Sequence, residues 1–396
     1  MATTAEQVRS YPGSAILSYG FRPFFLVGAI WSALVVAIWL PMLAGSLSLP
    51  IALSPVEWHV HELLYGYLPA IAAGFLLTAV PNWTGRLPVT GTPLLGLLLV
   101  WAAGRVAMLV SGLIDAPAAA MIDLLFLAVL ASVIAREIVR GHSTQNLKVL
   151  ALIGLLFVGN VVFHLETMQV IRPNGYGTRI GIGAAILLIT VVGGRIVPSF
   201  TRNWLARRPP GPMPTPFNRF DMMAIAAGAA AIAAWIVAPS HRSTAILAII
   251  AGLLHATRLA RWAGYRTLRE PLVLVLHVGY AFVPVGFLLL TLAIVAPQLV
   301  VPSGALHGWT VGAIGTMTLA VMTRATLGHT GQALVASPST QLIYAAIVVA
   351  ALARVLAAFD VWHNAALAVS AVAWVLAFGS FALNFGPLLV KPRTHV

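Results

Sequence analysis

Apolar residues follow one another in long runs along almost the whole chain, and short segments rich in Gly, Pro and Arg separate the runs. An α-helix needs about 20 mostly apolar residues to cross a bilayer. The predicted fold class is therefore an all-α integral membrane protein, a multi-pass bundle of about twelve transmembrane helices in contact with membrane lipid. The runs place the spans near residues 24–44, 56–80, 92–113, 117–139, 147–169, 178–200, 220–238, 243–262, 271–296, 303–324, 340–359 and 365–390.

The Lys and Arg residues in the loops and at the ends of the spans are divided unequally between the two sides of the predicted membrane. Seventeen lie on one side and three on the other, and an excess of basic residues marks the cytoplasmic side. Both termini are therefore predicted to be cytoplasmic. The basic side carries Arg9, Arg22, Arg86, Arg136, Arg140, Lys148, Arg202, Arg207, Arg208, Arg219, Arg258, Arg261, Arg266, Arg269, Arg324, Lys391 and Arg393, and the other side carries Arg172, Arg179 and Arg242.

The longest hydrophilic link, residues 202–219, is basic and rich in proline, which predicts a stiff and irregular cytoplasmic segment. It divides the chain into a first half of about 1–201 and a second half of about 220–396. The halves show no convincing sequence repeat. We therefore predict a single polytopic membrane domain over residues 1–396.

Composition supports this fold class and limits the chemistry. The 396 residues are 60% hydrophobic and only 8% charged, whereas a soluble domain carries about 25% charged residues. The net charge of +13 comes from the cytoplasmic loops, so it predicts membrane orientation and no nucleic-acid partner. The chain has no cysteine, which excludes thiolate-bound metals and covalently attached c-type haem. Any metal must be held by His, carboxylate or Met side chains.

Three predicted spans bring ionisable residues to one depth, near the outer surface. Such residues are costly in a membrane and mark functional sites. A single histidine at a span end can simply form hydrogen bonds at the interface, but convergence from three helices favours a metal-binding layer. The layer contains His59, His61 and Glu62 at the start of the second span, His164 and Glu166 at the end of the fifth, and His307 at the start of the tenth.

His59 and His61 are two residues apart, which is a rotation of about 200° along an α-helix. Their rings are therefore predicted to leave the backbone on nearly opposite sides and to serve two different centres. Glu62 and Glu166 are each able to cap a helix or pair with Arg. Beside the imidazoles, at least one of them is predicted to deliver protons or to orient a ligand histidine.

A second layer of polar residues lies nearer the cytoplasm. His277 lies deep within the ninth span and is either a metal ligand or a packed core residue. His329 follows the predicted end of the tenth span and is either a ligand or a loop residue. Arg105 in the third span needs an anion, which Asp123, Glu166 or the propionates of a haem would supply.

Five longer motifs contain or accompany these residues: 21–25 (FRPFF), 58–66 (WHVHELLYG), 74–85 (GFLLTAVPNWTG), 312–317 (GAIGTM) and 321–331 (VMTRATLGHTG). They resemble the motifs of the NnrS family, and the similarity extends from the first span to at least Arg354. This resemblance implies a bacterial inner-membrane protein that contains haem and copper, is associated with nitric oxide metabolism and protects against nitrosative stress. A weaker architectural likeness connects the chain to haem–copper oxidases and nitric oxide reductases, which carry a comparable histidine pair on the tenth helix.

From the resemblance and the histidine layers, we predict b-type haem and copper as cofactors. His59 or His61 would bind haem iron axially with His307 or another outer-layer histidine, and Arg172 and Arg179 would hold the propionates. The remaining imidazoles, of His164, His277 and His329, would bind a second haem or copper.

The predicted function is reduction or detoxification of nitric oxide, with protons from Glu62 or Glu166 and electrons from an unknown donor. Two alternatives stay open. One is a non-catalytic haem or copper protein that binds or senses nitric oxide. The other is a twelve-helix transporter, which does not explain the outer-layer histidines.

Overall fold

The computed structural model describes residues 11–393, and every regular element within this range is helical. Twelve of its helices are long and apolar enough to cross a membrane. The first six are α1 (Phe21–Leu43), α2 (Pro55–Thr84), α3 (Gly91–Leu109), α4 (Ala116–Arg140), α5 (Thr144–Thr167) and α6 (Tyr176–Leu205). The second six are α7 (Arg219–Val237), α8 (Arg242–Ala260), α9 (Pro271–Val295), α10 (Pro302–Thr330), α11 (Pro338–Ala358) and α12 (His363–Val390).

These helices confirm the predicted all-α class and the number of spans. Most helix ends lie within a few residues of the predicted ends, because a long apolar run both crosses the membrane and stops where polar loops begin. The cytoplasmic location of the termini and the likeness to haem–copper oxidases stay predictions. Arg9, which entered the charge argument, lies outside the described residues.

The end of the tenth span was predicted too early. The apolar run predicts an end at 324, but α10 continues to Thr330 and contains His329. Arg324 interrupts the apolar run without interrupting the helix. The hydroxyl of Thr330 donates to the backbone oxygen of Thr326 at 2.7 Å, and the helix ends where Gly331 takes a φ of 80°, a left-handed conformation that glycine adopts easily.

Three of the longest spans contain a π-helical segment, in which the backbone takes one extra residue per turn. These segments are Glu62–Tyr67 in α2, Ile189–Gly193 in α6 and Gly308–Gly315 in α10. Such segments occur frequently at functional sites. Side chains from other helices bind carbonyls in two of them: Trp101 donates to Gly66 and Arg258 to Thr190, each at 2.9 Å.

The start of α2 is defined by local capping. Ser54 accepts from the backbone N–H of Glu57 at 3.3 Å, and the Glu57 carboxylate accepts from the N–H of Ser54 at 2.9 Å. Pro55 occupies the first helical position, where its missing N–H is not needed. This capping box fixes the start of the helix and assigns Glu57 a structural role, four residues before His61.

The chain divides into two compact units. Unit 1 comprises the described residues within 1–181, 322–333 and 378–396, and unit 2 is Ile182–Val321 and Leu334–Ala377. In unit 1, α2 packs against α1 and α4, and α4 packs against α3 and α5. In the most apolar stretch of α2, 83% of the residues are buried, against 33% in α1. Polar side chains on α2 are therefore enclosed by protein.

Candidate metal centre

His61 lies at the junction between the α-helical start of α2 and its π-helical segment. Its ring is fully buried, and both ring nitrogens have polar neighbours. Nδ1 is 2.9 Å from Oε1 of Glu62, and Nε2 is 3.1 Å from Oδ2 of Asp123 and 3.2 Å from Oδ1 of Asn160. His61 thus connects a carboxylate of its own helix with polar groups of α4 and α5.

Asp123 on α4 is the residue on which the other side chains converge. Its Oδ2 lies 3.0 Å from Nε2 of His164 and accepts a hydrogen bond from Nδ2 of Asn160 at 2.7 Å. Asn160 and His164 are four residues apart, so α5 presents them on one face. One ligand atom from each of His61, Asp123 and His164 lies within 4.8 Å of the other two, which is close enough for one metal ion.

A buried arginine balances part of the negative charge. Arg105 on α3 donates from Nη1 to Oε2 of Glu62 at 2.6 Å and from Nη2 to Oδ1 of Asp123. Trp31 of α1 also donates to Oε2 of Glu62, at 2.8 Å. Two carboxylates and one guanidinium leave one negative charge in excess, and unpaired charge is costly in a buried site. The centre is therefore suited to a cation or to an imidazolium.

The close approach of Arg105 depends on a glycine in the π-helical segment. A Cβ on Gly66 would overlap Nη1 of Arg105 and lie 2.9 Å from Oε2 of Glu62. We expect Gly66→Ala to lower the free energy of unfolding by about 1–3 kcal/mol, the usual cost of overpacking. Thermal unfolding in detergent, followed by tryptophan fluorescence, measures the change.

Gly96→Ala is the matched control, because Gly96 lies within α3 and a Cβ there meets nothing within 4 Å. Alanine at that exposed helical position should be neutral or stabilising by up to about 1 kcal/mol. Equal stability of the two variants would contradict the packing role of Gly66.

Two other predicted residues of the outer layer, His59 and Glu166, have contacts away from Asp123. His59 stacks on Trp39 of α1, with ring centroids 4.0 Å apart, and so faces away from Asp123, as its offset from His61 leads one to expect. The Glu166 carboxylate accepts from the backbone N–H groups of Asn174, Tyr176 and Gly177 at 2.9 to 3.0 Å. It therefore caps the start of α6, where the helix dipole favours a negative charge.

The remaining predicted site residues belong to other surroundings. Arg172 is exposed, and Arg179 donates to the backbone oxygen of Asn174 at 2.7 Å. In unit 2, Nε2 of His277 is 2.8 Å from Oγ1 of Thr201, and Nδ1 of His307 is 2.9 Å from the backbone oxygen of Ser303. In unit 1, the His329 ring lies 5.4 Å from the rings of both Tyr19 and Phe21. The roles of these residues as ligands stay predictions.

Asp123 and Asn160 were not predicted as site residues. Asp123 was predicted only as a possible partner of Arg105. A signal for Asp123 was present, because a carboxylate inside an apolar span is a functional candidate on energetic grounds alone. Asn160 carried no comparable signal, since a neutral amide in a helix costs less and is common.

The donor set fits a transition metal and fits haem poorly at His61. Two imidazoles and a carboxylate are suitable ligands for copper, iron or zinc. An axial haem ligand needs a ring nitrogen that faces the porphyrin, whereas both nitrogens of His61 already lie within 3.2 Å of side-chain oxygens.

Comparison with known proteins identifies a family for the chain. The model of one protein family, described as NnrS protein, matches residues 15–393, nearly the whole chain. A comparison with curated proteins finds no match.

Proposed function

Because the chain belongs to the NnrS family, a family linked to nitric oxide and to metal or haem binding, we propose that it removes nitric oxide at a copper ion bound by His61, Asp123 and His164. The convergence of these three ligand atoms within 4.8 Å is the observation that carries the proposal. We place the protein in the bacterial inner membrane with both termini in the cytoplasm.

The charge and chemistry of the centre favour copper as the ion. Glu62, Asp123 and Arg105 together leave a negative charge that a cation would balance. The chain has no cysteine, so imidazole and carboxylate groups are the strong ligands it offers. Copper would supply one-electron redox chemistry and affinity for nitric oxide, which these side chains lack.

The side chains around Asp123 would bind the ion and handle protons. His164 and His61 would bind through Nε2, and Asn160, by donating to Asp123, would hold the carboxylate in place. Reduction of two nitric oxide molecules to nitrous oxide and water consumes two protons and two electrons, so a buried centre needs a proton donor.

Glu62 is better placed than Glu166 to deliver these protons. Its Oε1 is 2.9 Å from Nδ1 of His61, while Trp31 and Arg105 hold Oε2. Glu166 already accepts three backbone N–H groups at the start of α6. The haem predicted at His59 or His61, with His307 or another outer-layer histidine as its second ligand and Arg172 and Arg179 at its propionates, stays a separate prediction. The Soret band of purified protein tests it.

Metal analysis and anaerobic nitric oxide consumption with a chemical reductant test the proposal. Wild-type protein should contain copper, show nitrogen hyperfine splitting in its EPR spectrum and consume nitric oxide. His164→Gln should lose most of the copper and the consumption. His241→Asn is the control: it removes an exposed imidazole at the start of α8, and Asn retains the capping function.

The outcomes separate the alternatives. Copper and nitric oxide binding without consumption would favour the non-catalytic function. Protein without metal after expression with ample copper and haem would contradict the proposal and favour the transporter. Full copper content in His164→Gln would refute the ligand assignment.

A further inference from the structure

Unit 2 contains a second buried polar cluster, which the proposed function does not use. We call it the Tyr280 cluster. His255, Arg258 and Tyr280 are fully buried in it. Four helices build it: α6 contributes Thr190, α7 Asp221, α8 His255 and Arg258, and α9 Tyr280. Ionisable groups at such depth in a membrane protein need a structural or functional reason.

Two side chains contact the Tyr280 hydroxyl. Nη1 of Arg258 is 2.8 Å from its oxygen, and a guanidinium only donates, so the tyrosine oxygen accepts. Nδ1 of His255 is 2.9 Å from the same oxygen. In the tautomer with its proton on Nε2, the imidazole accepts the phenol proton at Nδ1 and so faces Tyr280 as a base.

The charge of Arg258 is compensated locally. Its Nε donates to Oδ1 of Asp221 at 2.9 Å, and Nη1 also donates to the backbone oxygen of Thr190 at 2.9 Å, in the π-helical segment of α6. Asp221 also lies 3.5 Å from Nη1 of Arg261, whose side chain is partly exposed. The phenol thus lies beside an imidazole and a buried arginine that is paired with a carboxylate.

The cluster is also too closely packed to be a binding pocket. A Cβ on Gly194 would overlap Nη2 of Arg258, and a Cβ on Gly228 would lie 2.9 Å from Nε2 of His255. Backbone therefore closes off the polar atoms that point away from Tyr280. Proton and electron transfer, which need no space for an added molecule, are compatible with this packing. Trp262 contacts the Tyr280 ring edge-on at 4.6 Å and extends the aromatic contact.

We propose that Tyr280 is a redox-active tyrosine that reduces small one-electron oxidants, with His255 as the acceptor of its proton. A phenol that loses an electron becomes a strong acid, so a base in contact makes the oxidation much easier. The choice of oxidant rests on the proposed function: nitric oxide and dioxygen combine to nitrogen dioxide, a small neutral radical that enters lipid.

The step is balanced in atoms and electrons. One electron passes from the Tyr280 phenol to nitrogen dioxide, which becomes nitrite. The O–H bond of Tyr280 breaks, an N–H bond forms at Nδ1 of His255, and the products are a neutral tyrosyl radical, an imidazolium and nitrite. Asp221 pairs with Arg258, and its negative charge reduces the repulsion between that guanidinium and the new imidazolium.

Tyr65 in unit 1 is the matched comparison. It is almost fully buried as well, but its hydroxyl donates to the backbone oxygen of Gly177 at 2.7 Å. A peptide oxygen is a very weak base and does not take the proton of an oxidised phenol. The two tyrosines therefore share burial and differ in the proton acceptor.

Flash oxidation of purified metal-free protein with a photogenerated ruthenium(III) complex tests the pair without copper or nitric oxide. We expect a tyrosyl radical in the optical and EPR spectra, formed more slowly in D₂O. Y280F should lose this radical, and Y65F should retain it. H255Q should slow its formation by roughly a hundredfold, the lower end of what a positioned base contributes.

A second arm replaces ruthenium with photochemically generated nitrogen dioxide and measures nitrite and nitrotyrosine. Wild-type protein should give more nitrite than Y280F. Equal radical yield in wild type and Y280F would refute the redox-active pair. So would the absence of a D₂O effect in wild type, a measurement that does not require any variant to fold. Equal nitrite yields would refute nitrogen dioxide as the oxidant. Neither result depends on copper at Asp123. Failure of the redox-active pair is therefore distinguishable from failure of the proposed copper site.

Discussion

Asp123→Asn is expected to weaken copper binding by more than about a hundredfold, beyond the 10–100-fold effect typical of residues that only orient a ligand. The substitution keeps the shape of the side chain but removes the negative charge on which His61, His164 and Asn160 converge. It also leaves Arg105 with Glu62 as its only carboxylate partner in the centre. Copper titration of purified protein, with metal analysis after dialysis, measures the loss.

Asp115→Asn is the control for this chemical change. Asp115 lies at the start of the same helix, α4, and accepts from the backbone N–H of Ala118 at 2.7 Å. Asparagine caps helices as well as aspartate does, so copper affinity should stay at the wild-type value. Copper bound normally by Asp123→Asn would show that the ion, if present, is held elsewhere.

Arg105→Met is expected to lower the free energy of unfolding of the metal-free protein by about 3–5 kcal/mol, as removal of one partner from a buried ion pair does. Methionine fills a similar volume, so the loss reflects charge: Glu62 and Asp123 would face each other without a cation. Added copper should restore part of the lost stability, since an ion that binds only the folded state stabilises it. Unfolding in detergent with and without copper measures both effects.

The control is Arg86→Met. Arg86 pairs with Glu137 at a partly exposed position, and Arg136 also contacts Glu137, at 2.9 Å. Partly exposed pairs contribute at most about 1 kcal/mol, so the variant should be close to wild type and insensitive to copper. If Arg105→Met were as stable as Arg86→Met, Arg105 would not be the buried counterion of Glu62 and Asp123 described above.

Part of the candidate site was accessible from sequence because ionisable residues are costly in lipid. That cost identified His61, Glu62 and His164 as residues that need partners, and it assigned Asp123 or another anion to Arg105. The same argument selected Glu166, which the structure shows capping α6 through backbone N–H groups. The energetic cost of burying a charge indicates that the charge has a partner, but it does not identify that partner.

The Tyr280 cluster shows the same limit. In the sequence, His255 lies next to the basic residues that end the eighth predicted span, a position that favours an interfacial role, and Tyr280 carries no functional signal. Their contact at 2.9 Å depends on how α8 packs against α9. Neither the apolar pattern nor the spacing of the two residues, 25 positions apart, reports that packing.

The amino-acid sequence by itself determined that the chain is a membrane protein of twelve helices and approximately where each begins and ends. The physical reason is that spanning a bilayer requires only length and apolar character, which are properties of one segment at a time. Tertiary structure alone decided that His61 meets Asp123, Asn160 and His164 and that His59 meets Trp39. Apolar side chains around every helix leave its facing direction undetermined, and a π-helical segment such as Glu62–Tyr67 rotates the residues that follow it, so only packing against neighbouring helices selects which polar groups share a site.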